Sequence, residues 1–204
     1  MIVIIDYGLG NLPSVAGAVE KVGFKPLISN KINDIEKAEK LILPGVGAFA
    51  DGMKNLRELN LINMLNKIVL KEKKPILGIC LGMQLMCKES YEFGHHTGLG
   101  WIDASVIRLN PKDKKLRVPH VGWDDLIQVK NSLLFNNIPK DALFYYVHSF
   151  HTKCNNKDII FGECEYEEKF TSVIQQNNIY ATQFHPEKSQ LHGLNLLKNF
   201  LEKG

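Results

Sequence analysis

The segment Gly78 to Gly82, with Cys80 at its centre, has the spacing most suggestive of chemistry in this chain. An apolar run over 74–79 precedes it and a helical pattern over 81–90 follows. Cys80 therefore falls where a strand reverses into a helix, the form of a nucleophile elbow with cysteine in the usual place of serine. Such a reversal presses backbone against backbone, and glycine two residues either side of the nucleophile tolerates the crowding. The sulfur would stand at a helix N-terminus, where unpaired amides favour the thiolate, and the Leu81 amide would point at a developing oxyanion. The bland reading is a small buried cysteine between packing glycines, and most free cysteines are just that.

A thiolate nucleophile needs a base and the base needs an orienting partner. His185-Pro186-Glu187 follows a strand pattern over 179–184 and offers both. Pro186 stiffens the backbone between them, and Glu187 would bond one imidazole nitrogen while the other faces Cys80. The alternative is an exposed turn with a solvated Glu187. A third element, Pro44 to Gly47, follows a strand over 40–43. Its glycines, Gly45 and Gly47, let the loop carrying Val46 approach a ligand at the carboxyl edge of a parallel sheet, although a lone Gly-x-Gly is as readily a tight turn. Weaker signals are set aside. Gly8-Leu-Gly10 is half a dinucleotide fingerprint with Pro13 in place of the third glycine. His95-His96 has no third ligand at a useful spacing. His148 and His151 diverge at a strand end.

These residues need a scaffold. Residues 1–7 read as a strand buried on both faces, 13–23 as a helix with Pro13 in its first turn, 26–29 and 40–43 as strands, and 48–70 as a helix. That alternation predicts an α/β fold, an open and mostly parallel sheet flanked by helices. The second half reads as strands over 104–109, 126–129, 143–148, 159–166, 171–176 and 179–184, an antiparallel β extension with a hairpin at Asn177-Asn178. A final helix is marked by Leu194, Leu197 and Leu201. No repeat or linker divides residues 1–204, so a single domain is expected.

The chain has 204 residues, 45% hydrophobic and 23% charged, enough for a real core. A net charge of +3, from 25 basic against 22 acidic residues, leaves no nucleic-acid footprint. The longest apolar stretch, over 75–87, is too short to span a bilayer. Four cysteines without Cys-x-x-Cys spacing, behind an N-terminus that does not read as a signal peptide, predict a soluble cytoplasmic protein.

Taken together, these motifs resemble those of class I glutamine amidotransferases, and among them the glutaminase subunits of imidazole glycerol phosphate synthase. The resemblance rests on Asp6-Tyr-Gly-Leu-Gly-Asn11, Leu43-Pro-Gly-Val-Gly-Ala-Phe49, Gly78-Ile-Cys-Leu-Gly-Met-Gln84, Pro119-His-Val-Gly-Trp123, Tyr146-Val-His-Ser149 and Gln183-Phe-His-Pro-Glu-Lys-Ser189. It implies a flavodoxin-like fold and hydrolysis of L-glutamine through a Cys80–His185–Glu187 triad and a γ-glutamyl thioester. It further implies oxyanion or substrate contacts from Gly45, Val46, Gly47, Leu81, Gln84, His148 and Ser149, with the Val46 loop rearranging before its amide serves. The partner implied is a cyclase subunit with a (β/α)8 barrel, forming a heterodimer that channels ammonia into histidine biosynthesis, with Asn11, Pro119, Trp123 and Lys188 at the interface. Neither metal nor organic cofactor is implied. Departures occur at Phe150-His151, at Asp124 and over 100–104, and are expected near the partner or the mouth of the site. They leave room for a sugar amidotransferase of surface-polysaccharide biosynthesis as the ammonia acceptor. A freestanding thiol hydrolase and a non-catalytic binding protein are the readings from other classes.

Overall fold

A computed structural model of the chain describes residues 1–113 and 115–204. The first part runs β1 (Ile2–Ile5), α1 (Leu12–Lys21), β2 (Pro26–Ser29), α2 (Ile32–Lys37), β3 (Lys40–Leu43), α3 (Phe49–Glu58), α4 (Leu61–Asn66), β4 (Ile76–Ile79) and α5 (Leu81–Leu85). There follow β5 (Cys87–Ser90), β6 (His96–Thr97), β7 (Ile102–Arg108), β8 (His120–Asp125), β9 (Ile127–Gln128), β10 (Leu143–His148) and β11 (Phe150–Cys154). β12 (Ile160–Tyr166), β13 (Glu168–Gln176), β14 (Ile179–Thr182) and α6 (Gln190–Lys203) close the chain.

The parallel core has the order β2-β1-β3-β4-β14, a doubly wound arrangement. Its strands are apolar without alternation because both faces are covered. In β1, Val3 and Ile5 enter one hydrophobic cluster while Ile2 and Ile4 enter the other, and β3 divides the same way between Leu41 and Ile42. From β14 the sheet continues antiparallel through β13, β11 and β7, and β8 pairs with β10 as a separate ribbon. The predicted turn at Asn177 joins β13 to β14, with Gln176 opposite Ile179 and Asn177 at φ 54°. No helix among the described residues is long and apolar enough to cross a membrane.

Four expectations need correction. The helix over 48–70 is two helices and a π-turn at Lys67–Lys71, because Asn60 turns left-handed at φ 56° between α3 and α4. The helix over 81–90 stops at Leu85. Its carbonyls are captured from outside: Leu99 N bonds Leu85 O at 2.8 Å and Trp101 N bonds Met86 O at 2.9 Å, so the chain leaves as β5. The strand over 126–129 shrinks to β9. The departure over 100–104 is largely a core feature: Trp101 and Ala104 are buried while Gly100 and Asp103 are exposed, and Trp101 Nε1 donates to Asn66 Oδ1 at 2.6 Å. α2, β8 and β11 carry no clear sequence signal, being short or half polar. Asn60→Ala is expected to lower stability by about 1 kcal/mol and Asn60→Gly to leave it level, read from urea midpoints, since a Cβ is disfavoured in the left-handed region.

Candidate active site

Cys80 is the single residue between β4 and α5, and the whole reversal falls on it: φ is 54° and ψ −108°, a strained conformation for a side chain with a Cβ. Its amide is pinned to Thr182 O on β14 at 2.7 Å. The flanking glycines serve the purpose their spacing predicts. A Cβ on Gly82 would lie 1.8 Å from the Leu43 carbonyl oxygen, and one on Gly78 would lie 2.8 Å from Met86 Cε and 2.9 Å from Met83 N. Close packing of α5 on β3 and β4 therefore requires glycine at both positions, and that packing lifts the sulfur to the carboxyl edge of the sheet.

His185 arrives at the same edge just beyond β14. Its amide donates to Tyr145 O at 2.9 Å, and the Ser189 hydroxyl donates to His185 O at 2.6 Å, so the backbone is held on both sides. The imidazole Nδ1 lies 2.8 Å from Glu187 Oε1, and the two side chains are 2% and 1% exposed. Nε2 makes no hydrogen bond and is the nitrogen left for Cys80. Burial pulls the His185 pKa down, but the Cys80 sulfur and the Glu187 carboxylate outweigh it and raise it from 6.5 to about 10. Glu187 reaches the imidazole from two residues along a 3₁₀ turn, Pro186–Lys188, as the Pro186 spacing predicts.

These groups open on a cavity of about 410 Å³. Val46, Gly47, Cys80, Leu81, Gln84 and His185 line it, with Glu92, Pro119, His148, Ser149, Phe150 and Lys188 among the rest. Gly45 stands behind the wall: a Cβ there would be 2.3 Å from Tyr7 Oη and 2.8 Å from Leu81 Cβ, so only glycine lets the loop close on α5. Ten of the expected site and interface residues thus line one cavity, together with Phe150 from the departure at 150–151, and Glu187 supports it from behind.

Two of them also bond within the protein. The Gln84 side-chain nitrogen donates to Phe150 O at 2.8 Å and to Gln183 Oε1 at 3.1 Å, so its amide hydrogens are already used. His148 Nδ1 donates to the same Phe150 O at 2.9 Å. Burial lowers the His148 pKa to about 3, so the ring is neutral and Nε2 accepts from His120 Nδ1 at 3.1 Å. His120 Nε2 lies 2.6 Å from Asp124 Oδ2, and its ring is stacked on Tyr166 and Tyr146. His148 therefore lines the cavity with both ring nitrogens engaged, and Asp124 anchors this histidine pair.

Of the residues expected at a partner interface, Pro119 and Lys188 line the cavity and Asn11 and Trp123 do not. Trp123 is 41% exposed and packs edge-on to Tyr145, whose ring also carries Lys188 Nζ at 5.6 Å. Pro119 follows a cis peptide bond at the rim. Asn11 caps α1, its Oδ1 accepting from Ser14 N at 3.4 Å. Two residues of the site lack any sequence signal that reveals their part. Glu92 is the one carboxylate on the cavity wall, held by Phe49 N at 2.6 Å to its Oε2. Gln183 is fully buried with its Nε2 3.6 Å from the Cys80 sulfur.

A parallel α/β sheet with a cysteine elbow, a His–Glu pair just beyond the neighbouring strand and a glycine loop at the cavity is the arrangement of a glutamine amidotransferase. The family profile for glutamine amidotransferase class-I matches residues 3–203, and the chain belongs to that family. Within it, the chain is 48% identical to imidazole glycerol phosphate synthase subunit HisH 1 of Campylobacter jejuni strain RM1221, over 98% of this chain and 99% of that protein. It is 47% identical to imidazole glycerol phosphate synthase subunit HisH 2 of Methanococcus maripaludis, over the full length of both. A crystal structure described as a glutamine amidotransferase shares the fold, with a TM-score of 0.76 over 99% of this chain and 98% of the other, at 20% identity.

Proposed function

We propose that this chain is the glutaminase subunit of an imidazole glycerol phosphate synthase, hydrolysing L-glutamine to glutamate and ammonia for a cyclase partner. The observation that carries this reading is the placement of His185, locked to Glu187 at 2.8 Å, with its free Nε2 directed to Cys80 on the floor of the cavity. The full-length similarity to two proteins of that name supports it.

In this mechanism the Cys80 thiolate adds to the side-chain carbonyl carbon of glutamine, and the carbonyl π electrons move to oxygen. The Leu81 amide and the loop from Gly45 to Gly47 hold that oxyanion, with the Val46 amide turning in to do so. His185, an imidazolium in the resting pair, gives its Nε2 proton to the leaving nitrogen; the C–N bond breaks and ammonia departs, leaving the γ-glutamyl thioester. A water then loses a proton to the neutral His185 as its oxygen attacks the thioester. Collapse expels the Cys80 thiolate with glutamate, and the imidazolium is restored. Glu92, the one carboxylate on the wall, takes the substrate ammonium, and Ser149 lies at the same wall to meet its carboxylate. Ammonia passes to a (β/α)8 barrel docked over the mouth, where exposed Trp123 and Lys188 stand with Pro119, and Asn11 at the start of α1 extends that contact.

Two results test this. A glutamine mimic with a diazoketone at the reacting carbon, 6-diazo-5-oxo-L-norleucine, loses nitrogen when a thiolate attacks it. One adduct per chain on the Cys80 peptide, blocked by L-glutamine, is expected; labelling that glutamine does not slow would overturn the substrate. The pH profile tests the proton donor. Because His185 is raised to about 10, the imidazolium persists at neutral pH, and kcat/KM should fall as pH rises through about 10. Glu187→Gln removes one of the charges that raise it, so that limb should move down by about one pH unit.

A further inference from the structure

We propose that Gln183 is a positioning residue: its side-chain amide, oriented by Gln84, donates to the Cys80 sulfur and holds it as a nucleophile. The inference rests on the glutaminase reading only for what the sulfur attacks.

The orientation follows from hydrogen-bond polarity. The Phe150 carbonyl can only accept, so the Gln84 group 2.8 Å from it must be the NH2. That nitrogen also lies 3.1 Å from the Gln183 side chain, which must therefore present its oxygen there. The Gln183 NH2 is left facing the sulfur at 3.6 Å. Turning either amide over would set oxygen against oxygen or oxygen against sulfur. Gln183 has no freedom to leave: it is fully buried, and its backbone amide donates to Ser172 O at 2.9 Å. Besides His185, the Val147 carbonyl lies near the sulfur at 4.0 Å, and it can only accept from a thiol. Gln183 favours the opposite state, because an N–H directed at sulfur stabilises the anion over the neutral thiol. It also meets the sulfur from the protein interior, leaving the cavity side for substrate.

Alkylation of the whole chain by iodoacetamide reads this without glutamine. Cys80 can be followed alone by peptide mass, since burial raises Cys87 and Cys164 to about 12 and Cys154 to about 11, where they react slowly near neutrality. Gln183→Met, close in volume and without donors, is expected to slow Cys80 alkylation at pH 7 roughly ten-fold while the rate at high pH stays level. Gln84→Met leaves Gln183 present but unoriented, and is expected to show a smaller loss in the same direction. Alkylation of both variants with the parent's pH dependence would overturn the proposal. Should Gln183→Met fail to fold, Gln84→Met decides alone. A shifted alkylation profile in a chain that glutamine does not protect from the diazoketone would keep the positioning role and discard the glutaminase reading.

Discussion

Cys80→Ala is expected to lower glutamate release by about five orders of magnitude while the protein stays folded, as loss of a covalent nucleophile does when its partners remain. The residue touches little that the fold depends on. Its amide hydrogen bond to Thr182 O survives any substitution but proline, and apart from His185 the sulfur meets Gln183 Nε2 and Val147 O at long distances. The backbone at this position makes a sharper test. With φ at 54° and ψ at −108°, Cys80 occupies a conformation that glycine adopts freely. Cys80→Gly should therefore be as inactive as Cys80→Ala and yet more stable than the parent by about 1 kcal/mol, since strain held for the reaction is released. Glutamate assays paired with urea unfolding of the three proteins check this. A glycine variant less stable than the parent would show that the elbow is not strained.

The second large effect is structural. Gly82→Ala would place a methyl 1.8 Å from the Leu43 carbonyl oxygen, and neither the helix nor the strand can give way without breaking the packing between them. A loss of about 4 kcal/mol or failure to accumulate folded protein is expected, at the upper end of what one methyl does. Gly17→Ala is the matched control. It lies in α1, a Cβ there meets nothing within 4 Å, and helix propensity predicts a gain of about 1 kcal/mol. Equal melting of the two variants would contradict the close approach of α5 to β3. Because the same approach sets the height of Cys80 above the sheet, partial rescue of Gly82→Ala stability should not restore activity.

What was legible in the sequence was local. β1, β3 and β4 announce themselves as uninterrupted apolar runs because each buries both faces, and the elbow is readable from its glycine spacing, although only Gly78 answers local contacts, with Met83 and Met86, while Gly82 answers the distant Leu43 carbonyl. The His185–Glu187 bond spans two residues, so its spacing carries it. What escaped depends on distant partners. β8 and β11 are half polar and become strands by pairing with β10 and β7. The helix after Cys80 ends early because Leu99 and Trp101 take its carbonyls, a contact no helical pattern announces. The Gln84 side-chain nitrogen is taken by Phe150 and Gln183, partners 66 and 99 residues away. Trp101 stands out in the sequence as a departure near the site, yet its ring lies in the core beside Asn66.

The central claim is a glutaminase whose Cys80–His185–Glu187 triad serves an imidazole glycerol phosphate synthase cyclase. Its most direct test is glutamate release from L-glutamine by the purified chain, alone and with that cyclase subunit and its ribotide substrate, with Cys80→Ala as the blank. Low activity alone, strong stimulation by the loaded cyclase, and none in the blank are predicted. Glutamate release that requires Cys80 but ignores the cyclase would contradict the assigned partner, and release that persists in Cys80→Ala would contradict the triad itself.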